Sequence, residues 1–153
     1  MTAAHPHDQL ISLAQDIARV HSLWPELVCA VIEQESSWDC WAIRYEPAFY
    51  SRYIEPQIAR GTITSETEAR ARAFSWGLMQ VIGQVAREHG FTAASLATLC
   101  DADVGIDVGC RVLAAKLAAA EGNVERALLL WNGGGNPDYA GAVMNRCGRY
   151  GAR

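Results

Sequence analysis

The sequence predicts a mainly α protein that forms one compact domain over residues 1–153. Apolar residues recur at the spacing of a helix along most of the chain, and short breaks containing glycine, proline or asparagine separate these stretches. No stretch shows the alternating pattern of a convincing strand, and we find neither an internal repeat nor a linker. With 50% hydrophobic and 20% charged residues, the chain has the composition of a globular domain large enough for one core.

The first two helices have the clearest patterns. One face of the first carries apolar residues at i, i+3, i+4, i+7 and i+8, and we expect this helix to end between residues 21 and 24. Pro25 suits the first position of the second helix, where its missing N–H is not needed. The second helix places three aliphatic residues and one carboxylate on one face and ends near Ser36. The first face comprises Leu10, Leu13, Ala14, Ile17 and Ala18, and the second comprises Val28, Val31, Ile32 and Glu35.

The stretch between residues 40 and 61 is the least regular part of the chain. Its aromatic residues stand among prolines and charged residues, which predicts a structured excursion made of short helical turns. The aromatic side chains could form the wall of a sugar-binding cleft or a local apolar cluster, and the sequence favours neither. They are Trp41, Tyr45, Phe49, Tyr50 and Tyr53.

The middle of the chain contains two further helical patterns. Ser65 and Glu68 match a capping box, which predicts a helix over residues 65–74 with one charged, solvated side. A second helical pattern begins at Leu78, and Gly90 supplies its end.

The C-terminal half is predicted to be helical throughout. Residues 101–120 are apolar around much of the helix circumference, which is typical of a central, buried helix. Asn123 is the predicted N-cap of the next helix, which ends at Trp131. Asn136 and Pro137 then fit the N-cap and first position of the last helix.

Composition and charge exclude several functions. The net charge of −4 and the lack of a basic run argue against nucleic-acid partners, and no apolar run is long enough to span a bilayer. The five cysteines are odd in number and scattered, which predicts mostly reduced, partly buried thiols. Cysteine and histidine spacing suggests no metal site, and we expect no cofactor and a monomer. The N-terminal residues have no basic region followed by an apolar core, so no secretory signal is predicted.

Glu35 is the strongest candidate for a catalytic group. It shares a face with packed aliphatic residues and lies in the last helical turn, where the helix dipole disfavours negative charge. Both surroundings raise the pKa of a carboxyl group, which suits a general acid near neutral pH. The alternative on this stretch alone is a glutamate at the edge of an apolar face, whose carboxylate turns out to water.

Two other chemistries find little support. The glycines at 133–135 follow no strand and precede no Gly-Lys-Ser/Thr, so they do not form a phosphate-binding loop. A Cys–His nucleophile pair is available by composition only.

Three motifs in order carry a resemblance to a known family. They are Glu35-Ser36, Gly77-Leu78-Met79-Gln80 and Trp131-Asn132-Gly133-Gly134-Gly135. Between about residues 10 and 150 the chain resembles the lysozyme-like lytic transglycosylases, the superfamily of soluble lytic transglycosylases and goose-type lysozymes. Glu35-Ser36 resembles the family's catalytic Glu-Ser, and Tyr139 matches the tyrosine that opens its final helix. Trp131 and Gly134 depart from the family's Ala-Tyr-Asn-Ala-Gly, and the interval from Glu35 to Gly77 is longer than in simple members.

The resemblance implies a lysozyme-like helical fold and a peptidoglycan-cleaving activity. The implied reaction breaks the β-1,4 bond between N-acetylmuramic acid and N-acetylglucosamine, with Glu35 as the single acid and base and the substrate's N-acetyl group assisting. The sugar's own 6-hydroxyl then closes a 1,6-anhydro ring. The implied substrate-binding residues are Ser36, Met79, Gln80, Trp131, Asn132 and Tyr139. Met79 and Trp131 would be apolar cleft wall, with plain core packing as the alternative for both.

Two alternative functions stay open from the sequence. A hydrolase would need a second carboxylate to hold water, for which Asp39 and Glu46 are candidates. A non-catalytic cell-wall binding or structural subunit could keep the same fold. In each case the implied partner is the peptidoglycan glycan strand in the periplasm, reached by an unidentified export route such as phage lysis or a secretion apparatus.

Overall fold

The helices and strands of the computed structural model, which describes residues 7–151, confirm a mainly α protein. The α-helices are α1 Asp8–Val20, α2 Pro25–Ser36, α3 Pro47–Phe49, α4 Glu55–Ala59, α5 Glu66–Ala71, α6 Gly83–Glu88, α7 Ala102–Ala119, α8 Val124–Trp131 and α9 Tyr139–Cys147. A π-helical turn at Tyr50–Ile54 joins α3 to α4, and a 3₁₀ segment at Leu96–Cys100 precedes α7. The strands are β1 Ile43–Tyr45, β2 Phe74–Trp76 and β3 Val81–Ile82.

The core forms around α2, which is buried from Leu27 to Ile32. This helix is apolar on nearly every side because α1 packs against it on one side and α9 on another. Pro25 is its first residue, as predicted. The α7 helix packs against α1 and α8 and is buried along its middle, between Gly105 and Leu113, which confirms the prediction of a central helix over residues 101–120.

A small antiparallel sheet corrects the expectation that the chain has no strand. Its order is β1–β2–β3, with Arg44 opposite Ser75 and Ser75 opposite Ile82. Strands of two or three residues are too short to show an alternating pattern, so the periodicity analysis could not detect them. The helical pattern that was expected from Leu78 is wrong for the same reason, because Val81 and Ile82 lie in β3 and the helix begins only at Gly83.

The excursion after α2 contains the predicted short helical turns, in α3, the π-helical turn and α4. Ile54 is fully buried there and forms a second apolar cluster with Ile63, Ala69 and Ala73. Three of its aromatic residues pack on this cluster: Tyr45, Phe49 and Tyr50. The local-cluster interpretation is therefore correct for this part of the excursion.

Helix caps agree with the sequence in two cases and differ in one. The Ser65 hydroxyl accepts the Glu68 N–H at 3.2 Å, and the Asn123 side chain accepts the Arg126 N–H at 2.9 Å. The α5 helix nevertheless ends at Ala71, earlier than predicted. Asn136 is not a helix cap, because its side chain accepts the Asp138 N–H at 3.0 Å and closes a turn that delays α9 by two residues.

The five cysteines are free thiols, and all but Cys40 are buried. Burial raises the pKa of the Cys29 and Cys110 thiols to about 12, so both stay protonated and unreactive at neutral pH. Within residues 7–151, no helix combines the length and the apolar character needed to cross a bilayer. The same part of the chain brings together no group of three or more histidine, cysteine, aspartate or glutamate side chains that could hold a metal ion.

Candidate active site

A cleft of about 570 Å³ opens beside the C-terminal end of α2. One wall is the small sheet, where Arg44, Ser75 and Ile82 form a row of paired residues across the three strands. The excursion adds Phe49 and Tyr53 to the lining, so its aromatic residues serve both the cleft and the local cluster. The opposite side comes from the helices that follow, with Val112, Lys116, Leu130, Trp131 and Asn132.

Glu35 lies in this cleft at the end of α2. The helix stops directly after it because Ser37 and Trp38 adopt positive φ angles of 50° and 68°. The residues of the preceding turn are buried in the core, so the carboxylate cannot fold back along the helix surface. It lies in the cleft instead.

Two donors converge on a single oxygen of Glu35. The Tyr139 hydroxyl donates to Oε1 at 2.5 Å, and the Trp131 indole Nε1–H donates to the same atom at 3.1 Å. The other oxygen, Oε2, accepts no hydrogen bond from residues 7–151. The alternative of a carboxylate that simply turns out to water is therefore wrong, since one of its oxygens is fixed by the protein.

Burial raises the pKa of Glu35. The hydrogen bonds from Tyr139 and Trp131 and the charge of Arg44 oppose this shift without cancelling it. Burial and the neighbouring Glu35 also raise the pKa of Tyr139, so its phenol remains a donor at every physiological pH. Burial thus favours the protonated, neutral form of Glu35, and the two hydrogen bonds favour its carboxylate form.

Ser36 and Met79 do not lie where the sequence interpretation placed them. The Ser36 hydroxyl lies 2.8 Å from the Leu78 carbonyl and 3.1 Å from the Ile32 carbonyl, so it ties α2 to the turn before β3. Met79 is fully buried, and its sulfur packs where a Cβ on Gly109 would stand. Neither residue lines the cleft, and the expectation that Met79 forms cleft wall is wrong because its side chain fills the core against α7.

Gln80, Trp131 and Asn132 do line the cleft together with Glu35. Gln80 has a φ of 50°, and its side-chain amide donates to the Ala42 and Gly77 carbonyls at 2.9 Å each. These bonds hold the turn before β3 against the chain that leads into β1. Tyr139 is buried behind Glu35, and its contact with the site is the hydrogen bond that its hydroxyl donates to that carboxylate.

The two candidate second carboxylates have different positions. Asp39 is exposed, accepts the Trp41 N–H at 2.9 Å and lies outside the cleft lining. Glu46 does line the cleft, where its Oε1 is held by the Arg44 guanidinium at 2.6 Å. Glu33, the other nearby acid, faces away from the cleft and binds Arg149 and the Tyr150 hydroxyl.

The sequence interpretation missed the two cations of the cleft, Arg44 and Lys116. Neither belongs to a recognisable motif, and they meet at one cavity only because the sheet packs beside α7. The spacing of Arg44 and Glu46 at i and i+2 on a short extended segment was the available signal for a same-face ion pair.

A comparison with models of protein families shows which family the chain belongs to. A family model described as Transglycosylase SLT domain matches residues 12–142. The chain belongs to this family. The resemblance drawn from the motifs is thus confirmed, and the SLT domain has the lysozyme-like helical fold that the resemblance implied. Comparisons with curated proteins and with solved structures gave no match.

The SLT domain is a lytic transglycosylase family domain that acts on peptidoglycan, which makes the cell wall its place of action. The cleft is the one place where the three motifs meet within residues 7–151. Glu35 comes from the first, Gln80 from the second, and Trp131 and Asn132 from the third.

Glu35→Gln should change the pH dependence of stability. Because burial raises the pKa of Glu35, the folded protein holds this proton more tightly than the unfolded chain, whose pKa is about 4.3. The stabilisation by this proton is complete below the unfolded pKa and is lost as pH rises through the folded pKa. We therefore expect Glu35→Gln, which stays neutral, to melt at a higher temperature than wild type at pH 8, by a margin that shrinks toward pH 4.

Thermal melts from pH 4 to pH 9 measure this margin, and about 1 kcal/mol corresponds to roughly 2–4 °C for a domain of this size. Asp39→Asn is the matched control, because Asp39 is exposed and should show no such trend. A margin for Glu35→Gln that does not change with pH would contradict a desolvated carboxyl at this position.

Proposed function

We propose that this SLT domain cleaves the β-1,4 bond between N-acetylmuramic acid and N-acetylglucosamine in peptidoglycan with Glu35 as the single acid and base. The observation that carries the proposal is the arrangement of the Glu35 carboxyl group in the cleft. Its pKa is raised by burial, Oε1 is fixed by two donors, and Oε2 accepts no hydrogen bond from residues 7–151.

In the first step, Oε2 gives its proton to the glycosidic oxygen, and the bond from that oxygen to the muramic acid C1 breaks. The raised pKa of Glu35 keeps this proton available near neutral pH. The resulting carboxylate is stabilised by the Tyr139 and Trp131 donors, which are already in place before the charge forms. The two hydrogen bonds thus favour the product of proton transfer over the reactant.

In the second step, the substrate completes the reaction with its own groups. The N-acetyl carbonyl stabilises the oxocarbenium-like C1, a substrate-assisted route that needs no protein nucleophile. The 6-hydroxyl of the same sugar then attacks C1 and gives its proton to the Glu35 carboxylate, which restores the acid and forms the 1,6-anhydro ring. Glu46 is engaged by Arg44 and Asp39 lies outside the cleft lining, which supports a mechanism with one free carboxyl group.

Other cleft residues have binding roles in this proposal. Trp131, Phe49 and Tyr53 offer aromatic surface to the sugar rings, and Asn132 offers an amide for hydroxyl or acetamido groups. Gln80 shapes the floor with its side-chain amide committed to the backbone. Because one chain supplies every group in this scheme, we propose that the domain works as a monomer.

Glu35→Gln should abolish cleavage while preserving the fold. The substitution keeps the size of the side chain and an acceptor for Tyr139 and Trp131, but it removes the transferable proton. General acid catalysis contributes roughly 10²–10⁴-fold, and loss of the base role adds to this. Clearing of purified cell-wall sacculi, with circular dichroism alongside, measures the effect.

The matched control is Glu33→Gln, two residues away on the same helix. Glu33 faces the C-terminal segment, so its loss should lower the melting temperature through Arg149 and Tyr150 and leave most of the activity. Less than a tenfold loss of activity in a folded Glu35→Gln protein would refute the acid assignment.

Tyr139→Phe should move the alkaline limb of the pH–rate profile to higher pH. The Tyr139 hydrogen bond lowers the pKa of Glu35, so removing it raises that pKa further and keeps the acid protonated at higher pH. The maximal rate should fall at the same time, because Oε1 loses the shorter of its two donors.

The profile of kcat/KM from pH 4 to pH 9 reports the relevant pKa in the free enzyme. Trp131→Phe is the comparison, and it should shift the limb less, since its hydrogen bond lowers the pKa of Glu35 less than that of Tyr139. A limb that stays in place in both variants would mean that Glu35 is not the titrating acid.

The released muropeptides should carry 1,6-anhydro ends. Mass spectrometry after borohydride treatment distinguishes them, because hydrolytic ends are one water heavier and are reduced, whereas anhydro ends are not. Glu46→Gln and Asp39→Asn should both leave the products unchanged. If the ends are instead reducible and Glu46→Gln stops their formation, the enzyme is a two-carboxylate hydrolase with Glu46 holding the water.

A further inference from the structure

Two acidic and two basic side chains line the cleft, and only one acid and one base among them form an ion pair: the four are Glu35, Arg44, Glu46 and Lys116. Arg44 and Glu46 neutralise each other through an ion pair of 2.6 Å. Glu35 is neutral when it carries the proton that the proposed reaction needs. Lys116 donates no hydrogen bond and forms no ion pair with residues 7–151, so it is the cleft cation that lacks a protein counter-charge.

The position of Lys116 favours a ligand in the cleft. It follows Val112 by one turn on α7, and both residues line the cavity, so the lysine stem runs along the cleft side of the helix. Lys116 as a whole is only partly exposed to solvent. Because the Lys116 ammonium forms no ion pair with residues 7–151, an incoming anion can bind it without first displacing a protein carboxylate, whereas Arg44 is already paired with Glu46.

The lysine is also unusual in this sequence. It is the only lysine of the chain, whose other basic residues are arginines, and the chain carries a net charge of −4. A compact ammonium with three donors binds a carboxylate from many directions, whereas a guanidinium favours a fixed two-point geometry. A flexible anionic substituent on a sugar therefore suits a lysine.

We propose that Lys116 binds a carboxylate on the glycan strand, so that the cleft selects strands whose muramic acid residues carry a negatively charged substituent. This rests on the proposed function, because it assumes that a glycan strand occupies the cleft beside Glu35. The carboxylate has two possible sources. It is the free lactyl carboxylate on a strand stripped of peptide, or a carboxylate of the stem peptide where the lactyl group is amide-linked. A chito-oligosaccharide of N-acetylglucosamine carries neither group.

The test measures binding to the Glu35→Gln protein with three soluble ligands, and mass spectrometry of each ligand recovered after the measurement checks that it has not been cleaved. These are peptide-bearing glycan strands, the same strands after removal of the peptides by an amidase, and a neutral chito-oligosaccharide. Tryptophan fluorescence or calorimetry reports the affinity. Because the readout is binding, the result is independent of whether Glu35 is the acid, and the two proposals can fail separately.

Lys116→Gln should weaken binding of at least one carboxylate-bearing ligand about tenfold or more, the effect of losing one charged hydrogen bond, and leave the chito-oligosaccharide unchanged. Lys116→Arg should keep most of the affinity, since it keeps the charge. Arg126→Gln, an exposed charge-matched control on α8, should have no effect. Added salt should weaken binding of the charged ligand by the Glu35→Gln parent more than binding by the same protein with Lys116→Gln.

The arms of the experiment identify the carboxylate. A loss confined to stripped strands assigns the lactyl group, and a loss confined to peptide-bearing strands assigns the stem peptide. A loss of affinity for both kinds of strand means that the lactyl and stem-peptide carboxylates bind Lys116 at the same position. The proposal is wrong if Lys116→Gln binds all three ligands as the parent does, if it loses the neutral ligand equally, or if Arg126→Gln has the same effect.

Discussion

The hydrogen bonds that join Glu35 to Trp131 and Tyr139 are the interaction on which the site depends. They connect the end of α2 to the end of α8 and the start of α9, which are about a hundred residues further along the chain. The glycine-rich turn between α8 and α9 reverses the chain so that both donors reach the same oxygen. These two hydrogen bonds therefore fix the position of the buried acid. They also fix Trp131 as part of the cleft wall and join the last two helices to α2.

A second set of contacts holds α2 from the side of the sheet and from the C-terminus. The Ser36 hydroxyl reaches the Leu78 carbonyl, while the Gln80 amide reaches Ala42 and Gly77. Behind the cleft, the Trp38 indole donates to the Tyr150 hydroxyl at 3.0 Å, and that hydroxyl donates to Glu33. Residues on both sides of Glu35 are thus fixed, which limits how far its carboxyl group can move within the cleft.

Sequence reasoning succeeded where a pattern extends over several turns and failed where an element is short. The limits of α2 and the burial of α7 follow from helical periodicity and from Pro25, both of which are visible in the chain. The sheet is invisible because its strands have two or three residues, and its stability comes from pairing between distant segments. Glu35 could be found because a carboxylate on a packed face is locally anomalous. The motif resemblance also brought Trp131 and Tyr139 to the site, but only the tertiary fold shows that both donate to the same oxygen of Glu35. Motif resemblance placed Gln80 and Asn132 at the cleft but could not distinguish cleft wall from core for Met79.

The segment Gly77–Gln80 has a wider consequence. A Cβ at Gly77 would stand 2.4 Å from the Leu99 carbonyl oxygen, Leu78 and Met79 are buried, and Gln80 bonds to backbone. This motif therefore encodes how the cleft is assembled, and its side chains neither give nor take the proton of the proposed reaction. A related chain could keep all four residues after losing its acid and still match the same pattern. Genome surveys that rely on this signature would count such inactive chains as enzymes unless they also inspect the carboxylate at the end of the second helix.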